Sequence, residues 1–166
     1  MQYSIADSTL LPVESQRDLG VIINSSLKFH EHIDKVCKKS MSVVSLILKK
    51  LTTRNADIIV NVYKSYAIPH LEYASEVWNP ANSVGDICKL EGIQRYFSRS
   101  LLATSEMSYG ARLERLGLFT LEFRRLVKDL MLVYKISHGQ SVIDPFEVFD
   151  FVDTGARRAT RSIFGP

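Results

Sequence analysis

The sequence is poor in the features that mark disulfide-rich, zinc-binding and membrane proteins. Its two cysteines, Cys37 and Cys88, stand far apart without CxxC spacing, so neither a disulfide framework nor a zinc site is predicted. No apolar run approaches the roughly 20 residues that a membrane helix needs. The start, MQYSIADSTL, lacks the charged and apolar blocks of a secretory signal. We therefore expect an intracellular protein, cytoplasmic or nuclear, with no membrane partner.

Motifs that carry catalysis are also missing. The sequence contains no Asp-Asp or Asp-x-Asp pair and no GxGxxG, GxxxxGK[ST], GxSxG or HExxH. Asp150 and Asp153 flank a possible strand, but residues three apart on a strand point to opposite faces. His30 and His32 could face one way in an extended segment, yet no third zinc ligand is near, which favours capping or solvent exposure. A Ser-His-Asp set is not excluded by linear sequence, but nothing singles one out, so no catalytic residue and no bound metal are predicted.

The residues that are present predict a mainly helical α+β fold, a helical bundle preceded by a short β-hairpin. An apolar content of 46% suffices for one core. Residues 1–27 contain short apolar runs broken by Asp7, Ser8 and Thr9, and a β-branched run from Leu19 to Ile23, which predicts two or three strands. Residues 28–139 follow helical spacing, with helices expected from Phe29, from Asn55 to Tyr66, from Ser83 to Ala103, before Gly117, and from Leu121 to His138. The face of the last helix that is expected to point inward consists of Phe123, Leu126, Val127, Leu130, Val133 and Tyr134. Residues 140–166 form an irregular basic tail.

Basic side chains recur on the polar faces of these helices. The net charge of only +3 says little about partners, so their placement matters more. Grooves lined by such residues suit phosphate backbones, although a merely solvated face is an equally ordinary use of charge. The candidate nucleic-acid-binding residues are Lys35, Lys38, Lys39, Arg95, Arg99, Arg124, Arg125 and Lys128.

The stretch LEYASEVWNP, residues 71–80, holds the single tryptophan of the chain. We expect Leu71, Tyr73 and Trp78, together with Val77, to pack a joint between two helices, with Pro80 fixing the exit. Glu72 and Glu76 are four apart, and one of them is expected to pair with Arg95 or Arg112. A cage for a ligand is the alternative.

Several segments together resemble the region after the polymerase active site in reverse transcriptases of LINE-type, jockey-like non-LTR retrotransposons. They are DLGVIINSSLKFHEHIDKVCKKS, VYKSYAIPHLEYASEVWNP, LEGIQRYFSR, SYGARLERLGLFTLEFRRL and DLMLVYKI. They stand in family order and cover nearly the whole chain.

The resemblance implies that Leu19, Gly20 and Val21 correspond to the primer grip, a strand turn at the end of the palm that holds the primer terminus. It implies that residues 28–139 are the thumb, which lies against the primer-template duplex. The catalytic aspartates of the family lie upstream in the palm and have no counterpart here, so magnesium would belong to the missing palm. The resemblance thus predicts a truncated copy or partial product without polymerase activity alone.

Three functions follow from these observations. The first is a thumb fragment that binds RNA or an RNA-DNA primer-template, with an upstream polymerase fragment as a possible partner. The second is a helical module that binds another protein, with the basic residues only solubilising it. The third is a decayed reading frame without a function. The oligomeric state does not follow from the sequence.

Overall fold

A short run of strands precedes a series of helices, as the sequence predicts. The computed structural model describes residues 3–5, 8–10, 13–53, 55–81, 83–103 and 106–149. These residues form a mainly helical α+β fold of four strands and eight helices. In chain order the elements are β1 (Tyr3–Ile5), β2 (Ser8–Leu10), β3 (Ser15–Asp18), β4 (Val21–Asn24), α1 (His30–Lys50), α2 (Ala56–Tyr66), α3 (Ile68–Glu72), α4 (Ser75–Trp78), α5 (Val84–Leu102), α6 (Tyr109–Leu116), α7 (Leu121–Ser137) and α8 (Pro145–Val148).

The strands form two separate antiparallel hairpins, one from β1 and β2 and one from β3 and β4. In the second hairpin Ser15 pairs with Asn24 and Asp18 pairs with Val21, so a two-residue turn joins the strands. The first hairpin includes Ser8 and Thr9 within β2, where the sequence predicted a turn. In this hairpin Ser8 pairs with Ile5 and Thr9 pairs with Ser4, so strand pairing overrides the local preference for a turn.

Capping side chains set where the helices begin and end. Asn55 accepts a hydrogen bond from the amide of Asp57 at 2.9 Å, and Ser83 and Ser108 cap α5 and α6 in the same manner. Gly117 ends α6 with a φ of 58°, a left-handed conformation that glycine adopts without strain. These local signals are readable from sequence, which is why the predicted helix ends agree closely with the observed ones.

The chain divides into two compact units, residues 1–125 and 126–166. The division falls inside α7, away from the boundaries expected after residues 27 and 139. Asp150, Asp153 and most of the predicted basic tail lie outside the described residues, while the described part of that tail includes α8.

In the first unit, α1 packs against α2, α3, α5 and β4. The buried centre includes a stacked pair, Tyr63 and Phe97, whose ring centroids are 3.9 Å apart. Other core side chains come from every helix of the unit and include Ile33, Val44, Leu71, Trp78, Leu90 and Leu113. Burial of apolar surface of this kind supplies most of the folding free energy.

The apolar face predicted for α7 is not buried. The sequence placed Phe123, Leu126, Val127, Leu130, Val133 and Tyr134 inward, and all six are exposed. Leu121 and Arg125 are buried instead. The prediction was wrong because apolar residues lie around much of this helix, so spacing alone does not identify the face that is covered.

Candidate nucleic-acid interface

The turn between β3 and β4 presents the predicted primer-grip residues in two different environments. Leu19 and Gly20 form the turn, with φ angles of 43° and 95°, and Leu19 is 85% exposed. Val21 begins β4 and is buried in the core. The turn therefore exposes Leu19 to solvent, while Gly20 is partly covered and Val21 anchors the turn in the core.

Tyr73, the residue that follows α3, holds this turn in place. Its hydroxyl donates a hydrogen bond to the carbonyl oxygen of Leu19 at 2.9 Å. Its ring covers Gly20 so closely that a Cβ atom there would lie 3.3 Å from Cε1 of Tyr73. The hydroxyl and the ring of Tyr73 thus both stabilise the backbone conformation of this turn.

A cavity of about 690 Å³ opens beside the turn. It joins the exposed end of the hairpin to α1 and to the segment around α3. Two of the lysines predicted to bind nucleic acid, Lys35 and Lys39, lie here because residues four apart share one face of a helix. The lining residues are Arg17, Leu19, Gly20, His32, Lys35, Val36, Lys39, His70 and Tyr73.

His32 lies at the inner wall of this cavity and is only 2% exposed. The amide of Ile22 donates to its Nδ1 at 3.3 Å, so in the neutral ring the proton is on Nε2. Burial lowers the pKa of His32 below its ordinary value, and the charges of Lys35 and Arg17 lower it further. His32 is consequently held as a neutral imidazole, neither exposed nor a helix cap as the sequence suggested.

The other predicted contacts on α1 and α5 are exposed but lie apart from the cavity. Lys38 is exposed on α1, and Arg95 and Arg99 are exposed on α5. The guanidinium of Arg95 lies 4.3 Å from the centroid of the Tyr109 ring, a cation–π contact that orients it. Their role in binding nucleic acid stays a prediction.

The three basic residues predicted on α7 differ in their surroundings. Arg125 is fully buried and its Nε donates to the side-chain oxygen of Asn79 at 3.2 Å, so its predicted place on an outer face is wrong. Arg124 donates two hydrogen bonds to the carboxylate of Glu72, which raises its pKa. Lys128 belongs to the second unit and is half-buried. Sequence spacing missed these differences because a charged side chain on a helix can equally face a buried partner.

The LEYASEVWNP stretch is a packed joint, but with a different set of inward residues than predicted. Leu71, Trp78 and Pro80 are buried, and the indole nitrogen of Trp78 donates to the carbonyl of Tyr73 at 2.8 Å. Tyr73 and Val77 are exposed. Ala74, with a φ of 51°, separates α3 from α4, which turns these two side chains outward. Glu72 is buried and pairs with Arg124, rather than with Arg95 or Arg112.

A serine, a histidine and an aspartate do come together near a second cavity of about 450 Å³. Nδ1 of His30 contacts the carboxylate of Asp86, and the hydroxyl of Ser83 donates to the same carboxylate at 2.8 Å. Burial alone would raise the pKa of Asp86, but hydrogen bonds from Ser83 and His30 outweigh it and lower the pKa. The serine is bonded to the carboxylate rather than to the histidine and caps α5. The set therefore stabilises a helix start and lacks the geometry of a nucleophile and its base.

Metal and membrane features are absent from the part of the chain that the structure describes. No group of three or more histidine, cysteine or acidic side chains is placed to hold a metal ion there. Within the same residues no helix is long and apolar enough to cross a bilayer. Cys37 and Cys88 are free thiols in α1 and α5, and burial raises the pKa of Cys37 to about 11, which makes its thiolate scarce at neutral pH.

Comparison with known proteins gives one relative of limited similarity. The chain is 26% identical over 159 residues to the uncharacterized protein B0403.1 of Caenorhabditis elegans, a match that covers 90% of this chain and 76% of that protein. No family model matches the chain. No solved structure matches it either.

Sequence reasoning missed three residues of the cavity: Arg17, His70 and Tyr73. Arg17 has a local signal, because it lies two residues before Leu19 and thus next to the predicted grip. His70 and Tyr73 come from a segment about 50 residues later. They reach the cavity through the packing of α3 on α1, which no local pattern predicts.

Proposed function

We propose that this chain is the primer-grip and thumb part of a LINE-type reverse transcriptase. In this proposal it binds the backbone of RNA or of an RNA-DNA primer-template. The support from sequence is the ordered set of resembling segments. The support from structure is that one cavity joins the turn at Leu19 and Gly20 to the basic face of α1.

That cavity is the observation on which the proposal depends. The two features were predicted separately, the turn as a grip and the lysines as backbone contacts, and they are neighbours in the fold. A grip and a thumb that hold the same duplex need to present such groups side by side. Cationic side chains with exposed ends suit phosphates because binding releases condensed counterions.

Binding of the purified chain to a labelled RNA-DNA hybrid tests the proposal. We expect fluorescence anisotropy to show binding at low salt, with an affinity that falls log-linearly as salt rises. Single-stranded RNA and duplex DNA serve as competitors. Absence of binding to any of these at low salt would refute the proposal.

A charge-reversed variant locates the contact. Changing Lys35, Lys38 and Lys39 together to glutamate should abolish hybrid binding while circular dichroism shows an intact fold. A control variant with the same change in charge replaces three exposed cations outside the predicted set, Lys28, Arg115 and Lys135. If both variants lose binding equally, the basic face of α1 is not the specific contact and net charge alone explains the effect.

The proposal assigns no polymerase activity to this chain alone. Phosphoryl transfer by two metals needs converging carboxylates, and the sequence has neither an Asp-Asp nor an Asp-x-Asp pair. Primer extension with magnesium or manganese should give no product. Template-dependent product from the purified chain would contradict this assignment.

A second candidate function is binding of a partner protein, and one observation favours it. An apolar groove of about 420 Å³ lies between α1 and α2 and includes Val43, Leu46, Leu51 and Tyr66. Exposed apolar grooves often accept a helix of another protein. Unchanged nucleic-acid binding by the lysine variant, together with capture of a partner that a Leu46→Asp change abolishes, would favour this function over the first.

A further inference from the structure

The apolar groove between α1 and α2 has an ordered pattern of charge along its length. On the side of α1 it is lined by a row of four residues, Lys39, Val43, Leu46 and Lys50. Lys39 and Lys50 are 11 residues apart, which is about three turns of helix, so both lie on the same face of α1. The row therefore has an apolar centre and a cation at each end.

The opposite wall of the groove comes from α2. The hydroxyl of Ser40 donates to the carbonyl oxygen of Ala67 at 3.1 Å, so the end of α2 lies beside the first half of α1 and the two helices run antiparallel. Tyr66 lines the groove from this wall. Leu46 is 57% exposed and Tyr66 is 65% exposed, so the groove leaves large apolar side chains uncovered, as interaction surfaces do.

The charged residues that line the groove are both lysines. None of its lining residues within the described part of the chain is acidic. Neither Lys39 nor Lys50 forms an ion pair with a described residue. Protein interfaces commonly have an apolar centre and a polar rim, and complementary charges on the rim fix the register of the partner. The groove thus fits a segment with an apolar centre and a carboxylate at each end.

We propose that this groove binds an amphipathic helix of a partner protein, with apolar side chains against Leu46 and Tyr66 and carboxylates that pair with Lys39 and Lys50. The inference rests on the second candidate function, for which it names the chemistry of the partner. A helix that lies along α1 matches its row when acidic residues occupy positions i and i+11 and apolar residues occupy positions i+4 and i+7. This spacing is the same in both chain directions, so it fits a parallel or an antiparallel helix.

A second copy of this chain does not supply such a helix. In no described helix are two acidic residues 11 positions apart with apolar residues at the fourth and seventh positions between them. A phosphate backbone fits the groove less well than a helix, because Val43 and Leu46 separate the two lysines and offer phosphates no hydrogen-bond donor. The occupant is therefore a different protein.

A phage-displayed library of helical peptides tests the inference. The library is selected on the full chain and counter-selected on Leu46→Asp, whose fold is checked by circular dichroism. We expect the enriched peptides to carry acidic residues at positions i and i+11 and apolar residues at i+4 and i+7. Enriched peptides without these acidic residues would overturn the inference and leave partner binding in place. No enrichment over Leu46→Asp would overturn the inference together with the second candidate function.

Charge reversal at Lys50 shows whether the carboxylates pair as proposed. Lys50 is chosen because Lys39 also lines the cavity beside the β3–β4 turn. Lys50→Glu should weaken binding of the enriched peptide by about three- to tenfold, through loss of an exposed ion pair and gain of a like-charge contact. Exchange of one terminal acidic residue of the peptide for lysine should restore binding to this variant.

The control for this change is Lys49→Glu. It reverses the same charge at a neighbouring exposed lysine that does not line the groove, and it should change the affinity little. Equal weakening by the two variants, or no restoration by the exchanged peptide, would show a general attraction to cations and would overturn the proposed pairing.

Binding of the RNA-DNA hybrid to the same samples separates this inference from the first proposed function. Peptide binding without hybrid binding would support the inference and refute the nucleic-acid function. Hybrid binding without any groove-dependent peptide would overturn the inference and leave the nucleic-acid function standing.

Discussion

The hydroxyl of Tyr73 donates to the carbonyl oxygen of Leu19 at 2.9 Å, across 54 residues of sequence. This bond joins the turn between β3 and β4 to the break between α3 and α4. It also closes one side of the basic cavity, which both residues line. The orientation of the proposed grip therefore depends on a side chain that belongs to the helical part of the unit.

Removing this hydroxyl should loosen the turn without unfolding the chain. We expect Tyr73→Phe to lower the free energy of unfolding by about 0.5–1.5 kcal/mol, the usual net contribution of one hydrogen bond. Urea denaturation measures the loss, and hydrogen exchange should show faster exchange at Gly20. Tyr66→Phe, at another exposed tyrosine, is the control. Equal effects of the two changes would argue against the bond.

Gly20 is predicted to resist substitution for two reasons. Its φ of 95° is a conformation that side chains rarely adopt, and a Cβ atom would press on the ring of Tyr73 at 3.3 Å. Gly20→Ala should cost about 1–2 kcal/mol of stability, measured by thermal or urea unfolding. Gly85→Ala in α5, where the added atom meets nothing within 4 Å, should be neutral or stabilising. A neutral Gly20→Ala would mean that the turn adopts another conformation in solution.

The ion pair of Glu72 and Arg124 should show strong coupling. Glu72 is buried and Arg124 is about a third exposed at its side chain. Loss of one partner from a fully buried ion pair lowers the free energy of unfolding by about 3–5 kcal/mol. Because solvent near Arg124 weakens this pair, we expect Glu72→Gln to lower the free energy of unfolding by about 2 kcal/mol. A double-mutant cycle with Arg124→Gln measures the coupling by urea denaturation. Additive single effects would show that the pair contributes little.

The carboxylate of Glu91 in α5 forms hydrogen bonds with the start of α7. It is buried and accepts from the hydroxyl of Tyr109 and from the amide of Leu121, the latter at 3.0 Å. Glu91→Gln places an amide donor against these donors and should cost about 1–3 kcal/mol. Glu114→Gln, at an exposed position of α6, is the matched control. Indistinguishable unfolding curves for the two variants would refute the role of Glu91.

His32 should make the stability of the chain depend on pH. An unfolded histidine titrates near pH 6.5, whereas the pKa of His32 in the fold is lower because of burial and then of nearby cations. Below about pH 6.5 the unfolded state therefore binds more protons. The stability conferred by neutral His32 is complete above that pH and falls as the pH drops toward its lowered pKa, by at most about 1.4 kcal/mol per pH unit.

Urea unfolding at pH 7.5, 6.5 and 5.5 measures this dependence. His32→Gln should be less stable at pH 7.5 but should show a shallower decline between pH 6.5 and 5.5. His138→Gln, at an exposed histidine of the second unit, should keep the full decline. An identical slope in the wild type and in His32→Gln would place the titrating group elsewhere.

Local patterns were sufficient for most of the helical framework. The cap at Asn55 and the stop at Gly117 are encoded in short segments, and the structure confirms both. Helical spacing did not identify the buried face of α7, because the residues predicted to point inward are exposed. The prediction that Tyr73 is packed inside was also wrong, because the left-handed backbone at Ala74 interrupts the helix and changes the direction of the chain.

The order and type of most elements follow from local patterns, since capping and helical spacing act over only a few residues. The short helix α8, inside the segment predicted to be irregular, is an exception. The same patterns identify the helices that carry basic residues, but the contacts of those residues depend on tertiary packing. Packing buried Arg125, paired Arg124 with Glu72, and brought Arg17 and His32 to the cavity of Lys35 and Lys39. Contacts between residues distant in the chain depend on how whole elements fit together, and that fit is a collective property of the core.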